Sequence, residues 1–175
     1  AGGNSKRFGS DKSKFKFKNK TFIETILEKT QNIFTEILIS CNKSQSHLCK
    51  HQVKLSYDLG EKYQGPIWGI YSSILNIKTE WVYVIPCDSP YFKIATITNM
   101  IEKSTKKNHY LTLLKNKNDF LYTFLFFHNS IFKSLNGYVI NGGRSIKGWV
   151  LENAYNKYCV DENIVNVNYK TDLKN

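Results

Sequence analysis

Nothing in this chain approaches the roughly 18 consecutive apolar residues that a membrane-spanning helix needs, and no basic, apolar, small-residue series resembles a signal peptide. Both observations point to a cytoplasmic protein. There is no internal repeat and no low-complexity linker. The four cysteines, Cys41, Cys49, Cys87 and Cys159, include no C-x-x-C pair, which argues against a disulfide framework. Cys41, His47, Cys49 and His51 lie near one another in sequence, as a zinc site or as ordinary reduced thiols and imidazoles. The two commonest nucleotide loops are also lacking, since no Gly-Lys-Ser/Thr and no G-x-G-x-x-G occurs. Acidic residues are scarce against basic ones, 14 to 25, leaving a formal charge of +11. That excess is largely Lys accompanied by abundant Asn, a composition effect as readily as a nucleic-acid footprint, so it does not name a partner.

What is present is enough for one folded domain. A chain of 175 residues with 41% hydrophobic and 14% aromatic content builds a sizeable core rather than a disordered coil. The opening stretch Ala1-Gly2-Gly3-Asn4-Ser5-Lys6-Arg7-Phe8-Gly9-Ser10-Asp11-Lys12 reads as a phosphate loop. Glycines let the backbone approach an anion, and Arg7 and Lys12 add charge. The alternative is a solvated chain end. A phosphate loop follows the carboxyl end of a buried strand, so a short hydrophobic strand is expected ahead of Ala1.

Along the chain, Lys14 to Phe17 alternates as a short strand ending in a turn at Asn19. Thr21 to Glu24 spells a capping box opening a helix whose face is Phe22, Ile23, Ile26, Leu27 and Thr30. Glu36 to Ser40 is a continuous apolar run, the signature of a parallel strand covered on both faces. A helical turn is predicted around Ser46 to Lys50, then a strand at Val53 to Leu55 delivering Asp58. Pro66 starts a helix to about Ile77, Trp81 to Ile85 is a buried strand, and Pro90 starts a helix to about Lys103. Strands follow at Tyr110 to Leu114 and Leu121 to Phe127 as an antiparallel addition. Short helices are predicted at Ile131 to Leu135 and Ile146 to Asn153, with Gly142-Gly143-Arg144 as a second basic loop. The order is that of an α/β layered sheet.

In such sheets ligands bind beyond the carboxyl ends of the strands. The glycine stretch, Ser40, Asp58 and Asp88 all fall there. Asp88 is a candidate Mg²⁺ ligand beside a polyphosphate, or with Ser89 the N-cap of the next helix. Lys12 and Arg7 would neutralise phosphate charge during in-line displacement. Asp58 suits a base or ribose, or a turn. Gly69 admits close approach of a ligand, or simply belongs to a helix start. Asn166 and Asn168 flank Val167, as a polar substrate contact or as turn chemistry.

Ala1-Gly2-Gly3-x-Ser5-x-Arg7-x-Gly9-x-Asp11-Lys12, Gly65-Pro66-x-x-Gly69, Pro86-Cys87-Asp88-Ser89-Pro90 and Asn166-Val167-Asn168, in this order, resemble the molybdenum cofactor guanylyltransferase family across essentially the whole chain. The resemblance implies a three-layer Rossmann-like nucleotidyltransferase fold, mostly parallel with an antiparallel addition. It implies transfer of GMP from GTP to the phosphate of Mo-molybdopterin, with Mg²⁺ as cofactor and pyrophosphate as leaving group. It also implies contacts with cofactor-assembly proteins and acceptor molybdoenzymes, and neither membrane nor nucleic acid as partner. By the same resemblance Ala1, Gly2, Gly3, Lys12, Ser40, Asp58, Gly69 and Asp88 hold the nucleotide. Lys12, Arg7 and Asp88 are catalytic, Asp88 binds the metal, and Asn166 and Asn168 approach the pterin. Ser40 stands where the family has Asn, with Asn42 as a substitute, and a His-Pro element ahead of Phe120 is absent. Alternatives are a cytidylyltransferase of a pterin, isoprenoid or sugar phosphate, a nucleotide-binding regulator, and a basic nucleic-acid-binding module.

Overall fold

The computed structural model describes residues 14–51, 53–59, 65–162, 164, 166–167 and 169–172, with residue 170 by its backbone alone. Its first elements are a small antiparallel hairpin, β1 (Lys16–Phe17) and β2 (Lys20–Thr21). The turn between them places Lys18 and Asn19 at positive φ. The capping box forms as read: Glu24 N–H donates to Thr21 Oγ1 at 3.2 Å, and Thr21 N–H donates to Glu24 Oε2 at 2.7 Å. It opens α1 (Phe22–Thr30).

The parallel pair β3 (Leu38–Cys41) and β4 (Lys54–Tyr57) follows, with a 3-10 segment, Lys43–His51, between them. Then come α2 (Pro66–Ile74), β5 (Trp81–Val84), α3 (Ile94–Lys106), β6 (Leu111–Lys115) and β7 (Phe120–His128). The chain continues through α4 (Phe132–Ile140), α5 (Ile146–Leu151) and β8 (Asn156–Cys159). The larger sheet has the order β5-β7-β6-β8. The antiparallel strand is β7, and it sits inside this sheet, bonded to β5 on one edge and β6 on the other. β8 runs parallel to β6.

Period-two alternation divides each strand between two cores. Leu125 and Phe127 of β7 face one cluster with Leu111, Leu113, Val82 and Val84, covered by α2, α4 and α5 through Ile67, Ile70, Ile74, Leu135, Val139 and Trp149. Phe124 and Phe126 face the other with Trp81 and Tyr83, covered by α3 through Ile97 and Met100. The result is three layers, helices on both faces of a mixed sheet. Trp149 has no exposed surface, and its indole N–H donates to Ser134 Oγ at 3.2 Å, which removes the cost of burying a polar group.

One expected helix start is displaced. The sequence places it at Pro90, but α3 begins at Ile94, and Lys93 is extended. The reason lies on α1. Lys29 Nζ donates to the carbonyls of Pro90 at 2.7 Å and Phe92 at 3.0 Å, while the buried Phe92 ring packs edge-on to Phe124. Those carbonyls are held in the turn and are not aligned to start a helix. α2 likewise stops at Ile74 rather than Ile77.

Candidate active site

The site is assembled by strand register. In the β3/β4 pair Ser40 stands opposite Ser56 and Cys41 opposite Tyr57. Asp58 prolongs this ladder, its N–H donating to Cys41 O at 3.1 Å. Residues 18 apart in sequence therefore meet, and Ser40 Oγ donates to Asp58 Oδ1 at 3.2 Å. The next residue, Leu59, is held by α2, its N–H donating to Ser72 Oγ at 2.9 Å.

The third member is Gly69 on α2. A Cβ built there would lie 2.6 Å from Ser40 Oγ and 3.4 Å from Asp58 Oδ1. Only glycine lets the helix come this near the two side chains. Gly65 has a φ of +95°, and a Cβ on it would fall 2.3 Å from the Arg144 carbonyl oxygen. Backbone thus meets backbone, tying the Gly142-Gly143-Arg144 loop to the start of α2. Pro66 occupies the first helical position, where no N–H is needed.

Asp88 enters from the other sheet, at the end of β5. Its carbonyl accepts from Val167 N–H at 2.7 Å. Next to it, Ser89 is fully buried and its hydroxyl donates to Asn166 Oδ1. The segment around Asn166 is therefore fastened beside Asp88 despite 77 intervening residues. Lys29 fixes the other side of this turn through Pro90 and Phe92, and stands over the Phe92 ring at 4.9 Å. Burial pushes the Lys29 ammonium below its ordinary pKa, opposed by the Glu162 carboxylate.

Ser40, Asp58, Gly69 and Asp88 all line one groove of about 820 Å³. Cys87 packs against the cluster of Ile23, Ile39, Cys41 and Leu48, and the ends of β3 and β5 line the same groove. Of the residues picked from sequence, Ser40, Asp58 and Gly69 touch one another, Asp88 shares their groove, and Asn166 is pinned beside it. Asn42 stands near the end of β3, where Ser44 Oγ donates to its Oδ1. Ala1, Gly2, Gly3, Arg7, Lys12 and Asn168 lie outside the described residues.

Three residues shape the site at a distance, among them Ser89, whose expected role as a helix N-cap falls because the cap of α3 is Lys93. Ser72, Ser89 and Lys29 act through partners 13, 77 and 61 to 63 positions away. Among the described residues no group of three or more His, Cys, Asp or Glu is placed to hold a metal, and Cys41, Cys49, Cys87 and Cys159 are free thiols. No helix among them is long and apolar enough to cross a membrane.

Comparison with known proteins agrees with this architecture. The chain is 28% identical over 156 residues to the molybdenum cofactor guanylyltransferase of Shewanella halifaxensis, covering 89% of this chain and 78% of that protein. The crystal structure of molybdopterin-guanine dinucleotide biosynthesis protein A from Archaeoglobus fulgidus superposes with a TM-score of 0.75 at 20% identity, over 91% of this chain and 80% of that one. The 4-diphosphocytidyl-2C-methyl-D-erythritol synthase of Anaerococcus prevotii shares the fold, with a TM-score of 0.72 at 10% identity over 90% and 84% of the two chains. The family described as MobA-like NTP transferase domain matches residues 1–171, and this chain belongs to it.

Proposed function

We propose that this protein is a molybdenum cofactor guanylyltransferase. A phosphate oxygen of Mo-molybdopterin attacks the α-phosphorus of GTP; the new P–O bond forms as the α–β anhydride bond breaks, and pyrophosphate departs with the electron pair. The observation that carries this reading is the meeting of Ser40, Asp58 and Gly69 in one groove with Asp88, in a chain whose family transfers nucleotidyl groups.

Each residue then has a chemical task. Asp58 accepts hydrogen bonds from the nucleoside, and Gly69 lets base or ribose lie against the α2 backbone. The Gly2-Gly3 stretch from Ala1, with Lys12 and Arg7, binds the triphosphate and offsets charge that grows on it during displacement. Asn166 and Asn168 take the pterin side. Mg²⁺ suits the donors present, because it uses one or two carboxylates and completes its shell with phosphate oxygens and water. Asp88 would hold it, and when bound it screens polyphosphate charge. The reaction is assigned to the cytoplasm, beside cofactor-assembly proteins and acceptor molybdoenzymes.

The test is incubation of the purified chain with Mo-molybdopterin, Mg²⁺ and each of GTP, CTP, ATP and UTP. Pyrophosphate release and product mass are followed together. GTP-dependent release with formation of the guanine dinucleotide is expected. A preference for CTP would reassign the chain to cytidylyl transfer, and nucleotide binding without pyrophosphate release would make it a regulator.

A further inference from the structure

In the proposed reaction Asp88 serves the nucleotide and Asn166 the acceptor, and a short segment from Glu162 to Val167 fixes one against the other. Glu162 accepts from Thr96 Oγ1 on α3, and Ile164 is buried in the core beneath that helix. Asn166 Oδ1 accepts from Ser89 Oγ, and Val167 N–H donates to Asp88 O at 2.7 Å. Asp88 thus carries both the carboxylate offered to the nucleotide side and the carbonyl that holds the acceptor side.

Those two hydrogen bonds set where the segment lies along the turn from Pro86 to Phe92, but they do not stop it lifting away. Val167 does that. It has no exposed surface, and it packs with Phe22, 2% exposed, at the start of α1. Phe15, just ahead of β1, and Phe17 within it close this cluster. The Phe15 and Phe22 ring centroids are 5.8 Å apart, while the Phe17 ring meets Tyr91 of the turn edge-on at 6.2 Å. The hairpin therefore presses on the acceptor segment through Val167 and on the Asp88 turn through Tyr91. A valine suits this place, because β-branching restricts its rotamers and so passes the position of the side chain to the backbone that carries Asn166.

We propose, on the guanylyltransferase reading, that Val167 is a positioning residue that sets the distance between acceptor and nucleotide. Being wholly buried, it touches neither substrate. In-line displacement depends on how the attacking oxygen meets the α-phosphorus, and a shift near 1 Å in one bound reactant costs roughly 100-fold in rate. Each substrate keeps its own contacts, so the loss falls on turnover and spares binding.

The experiment compares Val167→Ala with Val139→Ala in the whole chain. The second makes the same truncation in a buried residue of α4, in the core on the other face of the larger sheet. Both are expected to lower the melting temperature by about 3–8 °C. Only Val167→Ala is expected to lower kcat, roughly 10–100-fold, with KM for GTP and for Mo-molybdopterin within about threefold of wild type. Only Val167→Ala should also speed amide hydrogen exchange, by about tenfold or more, across residues 86–92 and at Asn166 with no substrate present. Phe17→Leu reaches the same cluster from its half-buried side, so it serves if Val167→Ala does not fold, and should give the same split with a loss of about three- to tenfold in kcat. Equal loss of kcat in Val139→Ala, a Val167→Ala enzyme that loses KM rather than kcat, or unchanged exchange in residues 86–92 would each overturn the proposal. A wild-type chain that releases no pyrophosphate from GTP, with exchange still faster in Val167→Ala, would refute the guanylyltransferase reading and leave the positioning role of Val167 supported.

Discussion

Gly69→Ala separates what the fold needs from what the site needs. The new Cβ would sit 2.6 Å from Ser40 Oγ, whereas ordinary contact begins at 3.4 Å, so one partner must retreat by about 0.8 Å. Ser40 yields first, because its hydroxyl swings about a single torsion, and the swing breaks its 3.2 Å hydrogen bond to Asp58. Losing that bond costs about 0.5–1.5 kcal/mol. Gly69 lies inside α2, and alanine there favours the helix by about 1 kcal/mol. The two terms nearly cancel, so melting temperature should move by no more than about 4 °C. Catalysis has no such compensation. With Ser40 and Asp58 displaced and a methyl in the groove wall, kcat/KM for GTP should fall roughly 10–100-fold, as misplacements near 1 Å commonly produce. Pyrophosphate release across a GTP titration measures it. Adding Ser40→Ala removes the atom the methyl strikes, and the next Ser40 atom, its Cβ, lies at a comfortable 3.7 Å. Gly69→Ala should therefore cost far less in that background, a direct coupling measurement. A Gly69→Ala enzyme within twofold of wild type, or a loss undiminished by Ser40→Ala, would refute the argument.

Four further outcomes are expected. Asp88→Asn should lower kcat by about three orders of magnitude, if it supplies the several kcal/mol typical of a metal-bound phosphoryl centre, and leave the melting curve unchanged; full activity would place the metal elsewhere. Glu24 is held at a pKa of about 2 by the backbone N–H of Thr21 and then by Lys50, against some burial. Because that value is depressed, the contribution is present above about pH 4.5 and lost as pH falls toward 2. Glu24→Gln should therefore cost about 1 kcal/mol near neutrality and flatten the acid limb of a urea-denaturation series. Gly65→Ala adds an unfavourable positive φ to a 2.3 Å approach to the Arg144 carbonyl, and should destabilise by about 2–4 kcal/mol in urea melts. Lys29→Met strips donors from Pro90 and Phe92; a loss of about 1–3 kcal/mol with reduced turnover is expected, while Lys29→Arg should recover much of both.

Several elements were legible from local chemistry. The Thr21/Glu24 capping box needs only a hydroxyl and a carboxylate three residues apart, and it forms in full. Pro66 marks the first turn of α2, and the apolar run from Trp81 marks β5. The alternation at β7 was harder to use, because Phe124 to Phe127 is apolar on both sides. It belongs to an internal antiparallel strand with a core on each face, and no periodicity announces which neighbours it pairs. The start of α3 was misplaced because Pro90 obeys a nonlocal constraint, the Lys29 ammonium.

Local pattern by itself determined that this is an α/β chain, where most helices and strands lie, and that Asp58 and Asp88 follow strand ends, since those properties depend on neighbours within a few residues; Ser40, expected past its strand, lies within β3. Only the tertiary structure decided that Gly69 must be glycine to clear Ser40, that Ser89 fastens Asn166 beside Asp88, and that Ser40, Asp58, Gly69 and Asp88 share one groove. Those are contacts between residues far apart in sequence. Their energy comes from close packing and paired polar groups, which exist only once the chain has folded.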